Sequence, residues 1–299
     1  MKDTRNAALT LVAVALAASA LVVAILAATA LDDRGAARAA GGDASAASVQ
    51  RQVAALSASI GRLRGRRPGK TTPTNANAAS ATTSIGRSQR EAVVFVANLK
   101  QGDAIQQAFY GFVEFGAAGI GTTMLSPVYN RVTTIQGAAA TLPALKNALK
   151  AAAARSGIAR VDLVFATHGL SGQVLLSDGF HTMTQVRDTI NAGLTATERS
   201  RLRMVFSTAC FGSTHLSNWI GAGFDVASGS KLIYADSVTS YPAFLGAWVA
   251  GSSFSGAVNA ANLADPAHVS DGAAKLLLGR TDVDSTRVIS GNGALNINS

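Results

Sequence analysis

The chain has 299 residues, 48% of them hydrophobic but only 6% aromatic, which is enough apolar material for one large domain or two small ones. A formal charge of +9 raises nucleic-acid binding as the first hypothesis. The single cysteine excludes a disulfide framework within the chain and every multi-cysteine metal site.

Residues 7–31 form a run of 25 without a charge, rich in Ala, Leu, Val and Ile. At about 1.5 Å per residue, such a helix crosses a hydrocarbon core of about 30 Å with some tilt. Ala28-Thr29-Ala30 has the small-residue pattern of a signal cleavage site. The run greatly exceeds the roughly 7–15 residues of a signal core, so an uncleaved anchor over residues 1–31 is the preferred reading. Lys2 and Arg5 precede the run, while Arg34 and Arg38 follow it beside Asp32 and Asp33. The balance leans towards a cytoplasmic N-terminus and an extracytoplasmic domain on a single-pass protein.

A stalk over residues 32–64 follows. Val49, Val53, Leu56, Ile60 and Leu63 alternate spacings of four and three, placing them on one helical seam. Either a short coiled coil that associates weakly with other copies when tethered, or an amphipathic spacer, fits this pattern. Residues 65–90 are a basic linker of Gly, Pro, Thr, Asn and Ala, fit at most to touch lipid headgroups or an envelope polymer. The charge then divides unevenly. Residues 1–90 hold 12 Lys and Arg against 4 Asp and Glu, leaving 14 against 13 for residues 91–299. The domain is nearly neutral, and no nucleic-acid partner is expected for it.

From Glu91 the texture becomes alternating α and β. Apolar runs at Ala92–Ala97, Arg131–Ile135, Val161–Thr167, Leu202–Ala209 and Lys231–Ala235 read as strands buried on both faces. Helical patterns fall at Asp103–Phe115, Leu142–Ala154, Met183–Leu194, Thr214–Gly221 and Tyr241–Asn262, and Thr195–Glu198 has capping-box spacing. The expected fold is a three-layer α/β/α domain with a mostly parallel sheet, its ligands at the carboxyl ends of the strands. The glycine-rich Gly116–Gly121 lacks the order of a dinucleotide fingerprint and is expected to be a mobile loop over the site. Trp219 and Trp248 fall among apolar neighbours and are expected in the core. His181, His215 and His268 have no metal-ligand spacing, so no metal or cofactor is expected.

Two strand ends carry chemistry. One reads Phe165-Ala166-Thr167-His168-Gly169 and the next Ser207-Thr208-Ala209-Cys210-Phe211-Gly212. On adjacent parallel strands, about 4.8 Å apart, His168 and Cys210 emerge on the same rim, as a base and a nucleophile require. Singly, each residue is ordinarily structural; the pairing is the signal.

This arrangement resembles the caspase-like clan of cysteine peptidases, in which a strand ending in His-Gly precedes one ending in Ala-Cys or Ser-Cys. The resemblance covers residues 91–262, with 42 positions between His168 and Cys210 against roughly 50 in caspases. It implies a sheet of order 2-1-3-4 followed by further strands, and a cysteine endopeptidase acting on a peptide or protein substrate, which the N-terminal run would anchor to a membrane. Cys210 would be the nucleophile and His168 the base, with the backbone N–H groups of Gly169 and Cys210 facing the oxyanion. The helix beginning after Gly212 and Ser213 would favour the thiolate.

The position two before the nucleophile, which lines the specificity pocket in several of these families, is Thr208, small and uncharged. Lys100 would favour an acidic substrate side chain and Asp236 a basic one. Two alternatives stand beside the peptidase: a catalytically inactive caspase-like module for binding or self-association, and a sortase-like transpeptidase. The latter requires a β-barrel and an arginine soon after the cysteine, whereas the first arginine after Cys210 is Arg280.

Overall fold

The computed structural model of the protein describes residues 84–97, 99, 104–265 and 268–299. The anchor and the heptad stalk lie outside the described residues, as do Lys100 and most of the linker. Among the described residues no helix is long and apolar enough to cross a membrane.

Nine strands are described: β1 (Arg90–Ala97), β2 (Arg131–Gly137), β3 (Arg160–Ala166), β4 (His168–Leu170), β5 (Gln173–Leu176), β6 (Gly179–Thr182), β7 (Leu202–Ser207), β8 (Val226–Ser230) and β9 (Arg287–Gly291). Six form one sheet in the order β2-β1-β3-β7-β8-β9, parallel except for the antiparallel edge strand β9. All eight residues of β1 are buried, as the uninterrupted apolar run requires of a strand covered on both faces.

Alternating side chains divide the core in two. Val93, Phe95, Leu163 and Phe165 face α2 (Leu142–Ala153), α3 (Met183–Gly193) and α5 (Leu216–Gly221), with Trp219 fully buried among them. Val94, Val164 and Phe206 face α1 (Ala104–Leu125), α6 (Ser237–Val249) and α7 (Phe254–Asn262), where Trp248 is fully buried. The short α4 (Ala196–Arg199) begins in a complete capping box, with Thr195 Oγ1 accepting from the Glu198 N–H at 3.2 Å and Glu198 accepting from the Thr195 N–H at 2.7 Å. A last helix, α8 (Val269–Leu278), precedes β9.

The chain leaves β1 for β2 on one side and returns to β3 on the other. This makes the carboxyl ends of β1 and β3 the switch point of the sheet, where a crevice opens between diverging connections.

Three expectations are corrected. Gly116–Gly121 is the second half of α1 and not a loop. Its small residues serve close packing: a Cβ on Gly121 would lie 2.3 Å from Tyr241 Oη and 3.1 Å from Val94 Cγ1, and Tyr241 donates to the Ala117 carbonyl at 3.0 Å. The fifth strand is Val226–Ser230, not Lys231–Ala235. Its Ser-Gly-Ser end is inconspicuous in sequence, but small residues are needed there because Gly229 lies against Gly212, where a Cβ would come within 2.4 Å of the Gly212 carbonyl carbon. The pattern at Tyr241–Asn262 is two helices, broken at Gly251 (φ +92°) and restarted by Ser253, whose side chain accepts from Gly256 N–H. The antiparallel sheet β4-β5-β6 and edge strand β9 were not legible from the apolar pattern.

Candidate active site

Strand β7 pairs in parallel with β3, and the Thr208 N–H extends the pairing by donating to the Phe165 carbonyl at 2.8 Å. His168 and Cys210 therefore leave the sheet side by side at its carboxyl rim. Beyond Ala209 the chain turns on Phe211, a non-glycine residue held at φ 55°, and enters a 3-10 turn over Gly212–His215 that leads into α5. A left-handed residue of this kind costs roughly 1–2 kcal/mol, offset by the bonds that hold it. Phe211 N–H donates to the Leu232 carbonyl at 2.8 Å, and Ser230 Oγ donates to the Ala209 carbonyl at 3.2 Å.

Gly169 lies directly on the backbone of Cys210. A Cβ at position 169 would fall 2.4 Å from the Cys210 carbonyl oxygen and 3.1 Å from its nitrogen. Only a residue without a side chain permits that approach. The two motifs, 42 positions apart, are thus in backbone contact.

The His168 ring is oriented by β1. Its Nε2 lies 2.8 Å from the Leu99 carbonyl oxygen, just past the end of that strand. A carbonyl only accepts, so Nε2 carries the proton and Nδ1 is the ring's acceptor nitrogen. Burial pushes the Cys210 thiol above its ordinary range, opposed by the N–H groups of Tyr234, Cys210 itself and Gly169. The Tyr234 N–H lies 3.4 Å from Sγ. The cysteine rests as a thiol until a base takes its proton.

Two residues of the 3-10 turn clasp the strand that carries His168. Thr214 Oγ1 accepts from the Gly172 N–H at 2.9 Å and donates to the Phe211 carbonyl at 2.7 Å. His215, fully buried, donates from Nε2 to the Leu170 carbonyl at 2.8 Å. Burial lowers its basicity, keeping the imidazole neutral, and its Nδ1 has no hydrogen-bond partner. His215→Phe retains an aromatic ring but removes the donor. It is expected to raise amide exchange across residues 168–176 by about fivefold, read by hydrogen-exchange mass spectrometry, as the loss of one net hydrogen bond of about 1 kcal/mol implies.

The other sequence-derived candidates are placed differently. Thr208 is half-buried at the rim. Asp236 is 5% exposed, accepts from Ser240 Oγ at 3.1 Å and has its carboxyl pushed up to about 7 by burial, with the Arg287 charge opposing. The folded protein therefore binds a proton at Asp236 that the unfolded chain releases near pH 4, so this group's contribution to stability falls as pH rises from about 4 to about 7. The thermal midpoint of Asp236→Asn, measured against wild type, is expected to gain steadily across that window and to stay constant above it.

Several site residues had no sequence signal. Leu99 and Tyr234 act through backbone groups. Arg287 is 3% exposed, with its guanidinium 3.8 Å from the Phe206 ring centroid and 4.8 Å from that of Tyr234, under the segment that covers Cys210. Its position after a long connection gave no hint of that contact. Among the described residues no cluster of His, Cys, Asp and Glu suits a metal ion.

The sequence matches no family model and no curated protein. Among solved structures the chain is similar to caspase-1 from Spodoptera frugiperda, with 12% identity over 75% of this chain and 94% of that one and a TM-score of 0.49. It is also similar to a secreted C11 cysteine protease from Bacteroides thetaiotaomicron, solved with an irreversible peptide inhibitor, with 12% identity over 52% of this chain and 53% of that one and a TM-score of 0.34.

Proposed function

We propose that the protein is a caspase-like cysteine endopeptidase with Cys210 as nucleophile and His168 as its base. The observation that carries this reading is the backbone contact of Gly169 with Cys210, which joins the His-Gly end of β3 to the Ala-Cys end of β7 beside the switch point of the sheet. In the proposed reaction His168 Nδ1 takes the thiol proton as Sγ attacks the scissile carbonyl carbon. The Gly169 and Cys210 N–H groups receive the oxyanion. Collapse breaks the C–N bond, and the imidazolium gives its proton to the departing amine. Water, deprotonated by the same ring, then hydrolyses the thioester, releasing the acid and restoring the thiol.

The sequence supports placing this activity on the extracytoplasmic side of a membrane, tethered by residues 7–31 through the stalk, which would bring copies into weak association. Thr208 at the rim lines the pocket for the residue before the scissile bond, and Lys100 is kept from the sequence as a charged candidate for selecting it, whereas Asp236 is buried against Ser240.

The test uses the full chain in detergent, a peptide library and a peptide bearing a thiol-directed warhead. Hydrolysis of a subset of peptides, together with probe attachment at Cys210 mapped by mass spectrometry, is the expected result. A chain that is inert to the whole peptide library, with no probe on Cys210, overturns the peptidase in favour of the inactive binding module.

A further inference from the structure

We propose that the β4-β5-β6 sheet is a docking ledge for apolar side chains on the leaving-group side of the scissile bond, so that the substrates are peptides with large apolar residues directly after the cleavage point. This rests on the peptidase reading of His168 and Cys210 and adds to it which part of the substrate the enzyme selects.

The argument begins with register. In this antiparallel sheet His168 pairs with Leu175, and Leu175 with Phe180; Leu170 pairs with Gln173, and Gln173 with Thr182. Directly paired residues project from the same face, so His168, Leu170, Leu175 and Phe180 share one face. The opposite face carries Val174, fully buried, and Leu176, 3% exposed, both in the core. The sheet has thus met its own need for burial through one face, and the His168 face turns outward.

That outward face is unexpectedly apolar. Phe180 is 57% exposed and Leu170 is 48% exposed, the only large exposed hydrophobic side chains of β-structure among the described residues. Leu170 lies two residues along the strand from His168, about 7 Å, and Phe180 two strands across, about 10 Å. These are the distances at which the first side chains of an extended peptide pass a reference point at its backbone.

Chemistry fixes which part of the substrate meets them. The group that protonates the departing amine must sit beside it, so the chain that leaves after bond cleavage crosses the His168 side of the site. A ledge continuous with the His168 ring is therefore seen by the leaving segment, and the acyl segment lies on the far side of Cys210. Half-exposed Phe and Leu side chains have apolar area left to cover, and a Phe or Leu of the substrate covers it while Gly or Ser does not.

The experiment uses the full chain and internally quenched peptides that share one non-primed sequence, chosen from the library, and differ in the two residues after the scissile bond: Phe-Leu, Leu-Leu, Ser-Ser or Gly-Gly. Wild type is expected to show kcat/KM about tenfold higher for the apolar pairs than for Gly-Gly. Leu170→Ser with Phe180→Ser, both at exposed positions, is expected to abolish that preference, so that kcat/KM for the four peptides falls within about twofold of one another. Equal cleavage of all four peptides by wild type, or an unchanged preference in the double variant, overturns the ledge and leaves the peptidase standing. Failure of wild type to cleave any of them overturns the peptidase and the ledge together.

Discussion

Cys210→Ala is expected to reduce peptide hydrolysis by at least about 10⁴-fold without loss of the fold. The nucleophile's side chain is small, and among the described contacts Sγ accepts one long hydrogen bond, from Tyr234 N–H at 3.4 Å. Removing it costs the structure little and the reaction everything, because no other thiol exists in the chain. His168→Ala is expected to fall about 10²- to 10⁴-fold in kcat, the range for a general base, with KM little changed. Its effect must also be pH-dependent. Burial holds the Cys210 proton on the sulfur, so without the base the residual rate is expected to climb with pH beyond the ordinary cysteine range of about 8.5, as hydroxide replaces the imidazole. Alkylation by iodoacetamide reads the same property without a substrate. A His168→Ala protein as active as wild type at neutral pH removes the ring from the mechanism.

Legibility in the sequence followed burial. The strands β1, β3 and β7 announced themselves because a strand covered by helices on both faces must be apolar at nearly every position. The strand β8 did not, because its Ser-Gly-Ser end is selected for close approach to Gly212, and the adjacent Leu232-Ile233-Tyr234 has the stronger apolar signal. Glycine misled in the other direction at Gly116–Gly121, where absent side chains admit Tyr241 and Val94 to a helix. At the candidate site, the two side chains with reactive atoms were visible, and the groups that aim them were not. The Leu99 carbonyl and the Tyr234 N–H belong to the backbone, which every residue carries, and the Thr214–His215 clasp depends on a 3-10 turn that no periodicity marks.

Two charges interrupt the apolar strands β3 and β7, and burying them makes the pair matter to stability. Asp162 in β3 and Arg203 in β7 are both fully buried. The register slips beside Val161, which pairs with Leu202 while Asp162 pairs with Met204, leaving Arg203 as an extra residue. A bulge of this kind re-aims a side chain. Here it lets Arg203 grip Asp162 through Nε at 2.9 Å and Nη2 at 2.6 Å, with Tyr129 Oη also donating to the carboxylate. Trp248 Nε1 donates to Tyr129 Oη at 2.8 Å, and Arg203 Nη1 reaches the carbonyls of Asn296, Ile297 and Ser299 at 2.8–3.1 Å. Burial alone would weaken the guanidinium's hold on its proton, but the charge and hydrogen bonds of Asp162, together with Tyr129, outweigh it.

Arg203→Met leaves Asp162 a buried carboxylate without its counter-charge and the 296–299 carbonyls without their donor. The expected cost is about 3–5 kcal/mol, or a fall of roughly 6–20 °C in Tm. Asp162→Leu added to Arg203→Met is expected to recover part of that loss, because no lone charge then remains inside. The recovery stays partial because the tail carbonyls remain unpaired. Thermal melts of the two variants read both quantities. The pair stands six or seven residues before His168 and Cys210 on strands that rise about 3.3 Å per residue, so about 20 Å separates the two ends. Activity per folded molecule is therefore expected to stay at the wild-type level in both variants. A loss of activity at temperatures where the fold is intact shows instead that the buried pair holds the carboxyl ends of β3 and β7 in line.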